Sequence, residues 1–296
     1  MCFEEWQDKT QFREWVIGRC RDYQAQYNPG PFCEHRQKNC TELFETFVSS
    51  FRFNPEWNLT HDNFKPFVDA AEMKIPRNKG ILWEGVYPFI SRYTNDGSKY
   101  LALADTLMGR MLDASWTMYC GSRETDDGWA IGPVCWENRT FGWESEGSAV
   151  WAMWSGSSAK YATLLSGEVP FLINASTTPA FKNNTFFARF ELPNMSLSKV
   201  TGFHIKLIHA LGQPVNETCK SPSIQKLMGL LDDRGFRHTC AENPRDVVML
   251  MCSDNPSHPD CSAFYQMPTG SGGVVAAGLI LTLIAVVLAI VTLIPV

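Results

Sequence analysis

Ten cysteines in a chain of 296 residues constrain its fold more than any other feature: Cys2, Cys20, Cys33, Cys40, Cys120, Cys135, Cys219, Cys240, Cys252 and Cys261. The number is even and no pair has the C-x-x-C spacing of a zinc ribbon or a thioredoxin-like redox site. Cysteines close together in sequence then read as local bridges formed in an oxidising compartment. Closing a loop the size of the one between Cys120 and Cys135 stabilises by about 3 kcal/mol on chain entropy. The expectation is a disulfide-stapled, exported domain.

The N-x-S/T triplets point the same way. Asn39, Asn58, Asn138, Asn174, Asn183, Asn194 and Asn216 each begin one, without proline at the middle position, and these are acceptors for N-glycosylation. From Val274 to Val296 the chain carries no charge, and Thr269-Gly270-Ser271-Gly272-Gly273 precedes this run. Small residues ahead of a terminal apolar tail make a GPI-attachment signal. The alternative is a true membrane span, for which roughly 20 apolar residues suffice. Met1 to Glu5 has neither a basic n-region nor an apolar h-region, so the expectation is a chain that begins downstream of a leader or whose start is misassigned. The location implied is the extracellular face of the plasma membrane. A net charge of −5 without a basic block argues against a nucleic-acid partner.

Residues 1–261 are long enough for one large domain, followed by a linker at 262–273 and the tail at 274–296. Apolar spacing predicts helices over Phe12 to Tyr27, Cys40 to Phe53, Leu101 to Met118, Ala149 to Leu165 and Ser223 to Leu231. Strand-like runs lie at Val169 to Ile173, Gly202 to Ile208 and Val247 to Cys252. Gly80 to Trp83 is a further isolated strand that could join them. Strands alternating with helices argue for a small parallel sheet. The fold class is α+β. A helical part (about 1–76 and 102–165) accompanies a mainly parallel sheet part with flanking helices (about 77–101 and 166–261), with a cleft between them.

No P-loop, G-x-G-x-x-G, H-E-x-x-H or G-x-S-x-G occurs. His204 and His209, five apart on a strand, fall on opposite faces and do not make a metal pair. Other segments say more. Ile75 to Glu84 (IPRNKGILWE), Leu103 to Arg110 (LADTLMGR), Trp154-x-x-x-Ser158, Phe186 to Asn194 (FFARFELPN) and Ser257 to Cys261 (SHPDC) occur in this order. Together they resemble the ADP-ribosyl cyclase (NAD glycohydrolase) family, and within it the GPI-anchored mammalian branch, from about Trp15 to Cys261.

The resemblance implies a catalytic Glu191. It implies cleft tryptophans at Trp83 and Trp154, with Ser158 one helical turn after the second. It also implies an acidic residue near the nicotinamide at Asp113 and a pocket ring at Phe187. NAD would be the substrate and not a cofactor, no metal would be needed, and the protein would form a homodimer. By itself, a Glu closing an apolar run is a solvated edge residue and a Trp in such a run is core; only the family position singles these out. Asp105 reads as a capping residue or as one that supports the site residues from behind.

The disulfides implied by the resemblance are Cys20–Cys40, Cys120–Cys135, Cys219–Cys240 and Cys252–Cys261, leaving Cys2 and Cys33 to pair with each other. The sequence departs from the family at Ala104, where several members are acidic, at Gly85, where an arginine is common, and at Arg77 and Tyr87, which replace the Cys and Lys of the member that hydrolyses the cyclic product. The implied activity is cleavage of the nicotinamide–ribose bond to give ADP-ribose, cyclic ADP-ribose or both. The alternative is a receptor or adhesion protein that keeps the fold with little turnover.

Overall fold

The computed structural model describes residues 8–27, 37–54, 58–87, 89–113, 118–135 and 146–265. The pairing expected between Cys2 and Cys33, the sequon at Asn138 and the whole tail lie outside them. The chain forms two compact units, one up to Val247 and one from Val248 onward.

The first unit begins with α1 (Lys9–Tyr27) and α2 (Cys40–Ser49). Asn39 caps α2 through its side-chain oxygen, which accepts from the Thr41 and Glu42 amides at 3.1 and 3.3 Å, satisfying two of the helix's unpaired donors. Cys20–Cys40 ties the two helices. Around them and α3 (Lys65–Ala70) lies an aromatic core centred on Phe47. Its ring meets Phe51, Phe67 and Tyr119 at centroid distances of 5.0, 5.4 and 4.9 Å, all edge to face, the geometry that ring quadrupoles favour. A small hairpin of β2 (Tyr119–Gly121) and β3 (Trp129–Ile131) closes this side and carries Cys120–Cys135.

The sheet has the order β1-β4-β5-β6 and is parallel throughout: β1 (Leu82–Glu84), β4 (Gly167–Asn174), β5 (Val200–Ile208) and β6 (His238–Glu242). The isolated run at Gly80 to Trp83 therefore joins it, with Trp83 opposite Leu172 and Glu84 opposite Ile173. The central strand β4 is buried along nearly its whole length, as both-face coverage of a parallel sheet requires. Helix α6 (Ala149–Leu164) precedes β4, α7 (Pro222–Asp233) lies between β5 and β6, and Cys219–Cys240 ties the approach to α7 onto β6.

Two expectations are corrected. The helix predicted over Leu101 to Met118 is broken. Leu101 makes a parallel bridge with Gly80, a 3-10 turn covers Leu103–Asp105, and α5 spans only Leu107–Leu112. Thr106 between them is extended and caps α5 by accepting from the Gly109 amide at 3.3 Å. The Asp105 carboxylate accepts from the Ala102 amide at 2.9 Å. A Cβ at Gly109 would lie 2.1 Å from the Leu103 carbonyl oxygen, so the crossing of the two turns requires glycine. The strand predicted at Val247 to Cys252 is α8 (Arg245–Asp254). Its buried positions Val247, Met251 and Cys252 recur at helical spacing.

The second unit, from Val248, holds the rest of α8, α9 (Pro259–Tyr265) and the Cys252–Cys261 bridge. All four described disulfides are those implied by the resemblance. No helix among the described residues is long and apolar enough to cross a membrane.

Helix α6 and β1 are joined by one buried hydroxyl. Tyr161 Oη accepts from the Ile81 amide at 2.9 Å, and its single proton is shared between the Leu101 and Ile81 carbonyl oxygens at 2.6 and 2.8 Å. Removing a buried, fully engaged hydroxyl costs about 1–3 kcal/mol. Tyr161→Phe should lower the urea midpoint by that amount with an unchanged m-value; an unchanged midpoint would show the bonds to be replaceable.

Candidate active site

The expected catalytic residue is placed by an irregular piece of backbone. Residues Phe187–Glu191 form a π turn, in which the Leu192 amide reaches back to the Phe187 carbonyl, and a 3-10 turn over Leu192–Asn194 follows. π turns inside helical segments concentrate at functional sites. Phe187 anchors the turn. It was expected to line the pocket, but it is 2% exposed, with its ring 4.4 Å from Phe171 and against Phe181 and Phe203. It supports the turn from the sheet side. Phe186 is half-buried beside Trp151 and Phe190.

With Phe187 fixed inward, Glu191 four residues later is also turned inward and is 8% exposed. Arg189 between them points out to Glu146 and over the Trp151 ring, 5.4 Å from its centroid. Ser158, itself buried, donates to the Glu191 carboxyl. It lies on α6 four residues after Trp154, so the indole and the hydroxyl share one face of the helix. Trp154 is half-buried and packs on the core. The start of α6 is fixed by Ser148, whose hydroxyl accepts from the Trp151 amide at 3.1 Å.

Trp83 and Glu84 close β1, at the carboxyl edge of the parallel sheet where ligands bind in open α/β sheets. The half-buried Trp83 ring lies 6.3 Å from that of the exposed Tyr87. Glu84 takes the hydroxyl of Thr185 as a donor, with Lys182 as its neighbouring cation. Gly85 follows with φ +67°, a left-handed turn that carries the chain away from the edge. Sequence reading did not single out Glu84: its only signal was a carboxylate adjoining Trp83.

Asp113 ends α5, half-buried, and its electrostatic partners are Arg19 and Arg110. Asp105 caps as expected, taking the Ala102 amide and the Thr94 hydroxyl.

Burial dominates the electrostatics. It pushes the Glu191 carboxyl up to about 8, with the Ser158 hydrogen bond pulling down and the neighbouring Glu84 charge pushing further up. Burial likewise lifts Glu84 to about 7 against the pull of Thr185 and Lys182. Two interacting carboxyls in one site titrate as a pair.

The whole matches a known group of proteins. Residues 9–261 match the family described as ADP-ribosyl cyclase. The chain belongs to the ADP-ribosyl cyclase family. It is 34% identical over 257 residues to the ADP-ribosyl cyclase/cyclic ADP-ribose hydrolase of Aplysia californica, covering 85% of this chain and 87% of that one. It is 31% identical over 252 residues to the human ADP-ribosyl cyclase/cyclic ADP-ribose hydrolase 2, covering 84% and 75%. The fold superposes on the crystal structure of Aplysia cyclase complexed with substrate NGD and product cGDPR. There the TM-score is 0.75 and identity 32%, over 85% of this chain and 96% of that one.

A buried carboxyl whose folded pKa exceeds its unfolded value of about 4.3 favours the protonated folded state. Stability from this source is fullest below the unfolded pKa and is lost as pH rises toward 8. Glu191→Gln should therefore raise Tm, by little at pH 4.5 and by several degrees at pH 8. An equal effect at both pH values would sink the assignment of a buried, proton-holding Glu191.

Proposed function

We propose that this member of the ADP-ribosyl cyclase family is an ectoenzyme that cleaves the nicotinamide–ribose bond of NAD, giving nicotinamide with ADP-ribose, cyclic ADP-ribose or both. The observation that carries the reading is the buried Glu191 carboxyl, held by Ser158, with Trp154 one turn before that serine and Trp83 at the adjoining sheet edge.

The chemistry suits one buried carboxylate. The leaving group is a pyridinium, so the breaking C–N bond returns its electron pair to the ring and neutral nicotinamide departs without protonation. The two-carboxylate acid and base of ordinary glycosidases are unnecessary. Positive charge develops at the ribosyl carbon, and the Glu191 carboxylate stabilises it in a site where water screens little. Indoles at Trp83 and Trp154 can stack on the flat rings and hold the dinucleotide in position. Water adding to that carbon, with loss of its proton, yields ADP-ribose; the adenine of the same molecule adding there yields cyclic ADP-ribose. A cationic ring beside Glu191 also favours its ionised form, which readies the group that burial keeps protonated in the empty site.

The test is to incubate the purified ectodomain with NAD and with an analogue whose cyclic product fluoresces. Nicotinamide release is expected, falling at least about 100-fold in Glu191→Gln, the scale on which a charge-stabilising group contributes. No release from the unaltered protein would leave a cell-surface receptor or adhesion protein as the reading.

The sequons and the tail support an extracellular, lipid-anchored location. Asn39, Asn58, Asn183, Asn194 and Asn216 are exposed. The Asn39 cap uses only its side-chain oxygen, leaving the amide nitrogen for a glycan. Cleavage near Gly270–Gly272 would replace the tail by lipid. Phosphatidylinositol-specific phospholipase should then release the protein from expressing cells; retention after treatment would mean an intact span.

A further inference from the structure

The turn that carries Glu191 is tied at both ends by side chains next to it in sequence, and the later tie has no part in the reaction as described. At the start, the Thr185 hydroxyl accepts from the Ala188 amide at 3.3 Å and the Thr185 carbonyl from the Arg189 amide at 3.0 Å, the arrangement of a helix cap. At the end, the Asn194 side-chain amide donates to the Phe190 carbonyl at 2.7 Å. Phe190 immediately precedes Glu191, so this bond holds the peptide group to which Glu191 is attached.

The backbone offers few donors at this point. Pro193 has no N–H to return to the carbonyls behind it. The Leu192 amide is committed to the Phe187 carbonyl, which closes the wide turn. The Met195 amide is committed to the Leu192 carbonyl at 3.4 Å, where Arg234, at the end of α7, also donates at 3.3 Å. Leu192 and Met195 are buried, whereas Pro193 and Asn194 between them are exposed. A water molecule could satisfy the Phe190 carbonyl, and the net stability gained from one such bond is small. What the amide adds is position: water ties the carbonyl to nothing, while Asn194 ties it to the turn that follows.

We propose that Asn194 is a positioning residue for Glu191: by holding the Phe190 carbonyl it keeps the π turn closed and the Glu191 carboxyl aimed into the site. This rests on the proposed cleavage of the nicotinamide–ribose bond, in which Glu191 stabilises charge at the ribosyl carbon. Such a group is effective only if it is in place before the charge develops. A turn that relaxes from π to α bonding re-aims the residues at its end by up to about 100°, the angle that one residue spans in an α-helix. Asn194 also opens the N-x-S triplet with Met195 and Ser196, and the nitrogen that donates to Phe190 is the one that would carry a glycan. A glycosylated amide keeps one N–H, so tie and glycan are compatible, and the effect on Glu191 belongs to the N–H and not to the sugar.

The experiment compares the purified ectodomain with Asn194→Ala, Asn194→Asp and Ser196→Ala, all made in a glycosylating host. Ser196→Ala removes the triplet and keeps the amide. Two quantities are followed: hydrogen exchange of the Leu192 amide, and kcat and KM for nicotinamide release from NAD. In both Asn194 variants the Leu192 amide should exchange about tenfold faster or more, while the amides of β4 keep their rates, as local opening requires. In the same variants kcat should fall with KM little changed, by up to the about 100-fold that a displacement on the order of 1 Å costs. Ser196→Ala should match the unaltered protein in both measurements. An unmoved Leu192 amide, an unmoved kcat, or a loss in Ser196→Ala equal to that in Asn194→Ala would overturn the proposal. Asn194→Asp decides alone if Asn194→Ala does not fold. Hydrogen exchange needs no turnover. A faster Leu192 amide in a protein whose unaltered form never releases nicotinamide would therefore overturn the enzymatic reading and leave the tie standing.

Discussion

The Tyr161 hydroxyl is the contact on which the rest of the arrangement depends. It lies on α6, fully buried, and engages the backbone of Ile81 and Leu101 at once. Ile81 leads directly into β1, which ends in Trp83 and Glu84. Leu101 begins the broken segment that follows. Three residues before Tyr161 on the same helix is Ser158, the donor to Glu191, and four before that is Trp154. The register of α6 against β1 therefore fixes the spacing between the two tryptophans and between the two glutamates. Surface pairs such as Lys65–Asp69 contribute little to that register.

The site itself works against stability. A carboxyl buried beside another carboxyl prefers to be neutral, and at neutral pH the fold bears that preference at both Glu84 and Glu191. The offset comes from elsewhere: the aromatic core around Phe47, the nearly fully buried β4, and the disulfides that close loops at α1–α2, β2–β3 and α7–β6. Such an exchange of stability for a prepared charge is the usual relation between an active site and its scaffold.

Much of the fold could be read from residue patterns, and the failures have physical reasons. The helices at α1, α2, α6 and α7 and the strands β1, β4 and β5 all announced themselves through apolar periodicity or β-branched runs. Strand β6 did not, because His238-Thr-Cys-Ala-Glu242 is a polar edge strand held by backbone pairing and a disulfide. The stretch from Leu101 to Met118 carried helical periodicity, but Asp105, Thr106 and Gly109 cap and cross it into two short turns, a tertiary choice that periodicity cannot register. At the site, Glu191, Trp83, Trp154 and Ser158 were legible only through family resemblance. Glu84 was not legible at all: in sequence it is an ordinary charged residue closing a strand, and only the fold brings Thr185 and Glu191 to it.

The π turn explains why local pattern was least informative where the chemistry lies. Phe186-Phe-Ala-Arg-Phe-Glu191 is a mostly apolar run closed by a glutamate, which suggests a strand-like segment running to a solvated end. The backbone instead coils, and the wide turn brings residues four apart, Phe187 and Glu191, to the buried side while Arg189 faces out. Burying Phe187 against Phe171, Phe181 and Phe203 supplies the apolar energy that holds a rare backbone form in place. The aromatic residue is therefore what allows a carboxyl to be turned away from water, and the glutamate is carried inward by a neighbour whose own preference for the interior is strong. Local preference and global structure disagree at this one turn, as expected where a chain gives up stability for function.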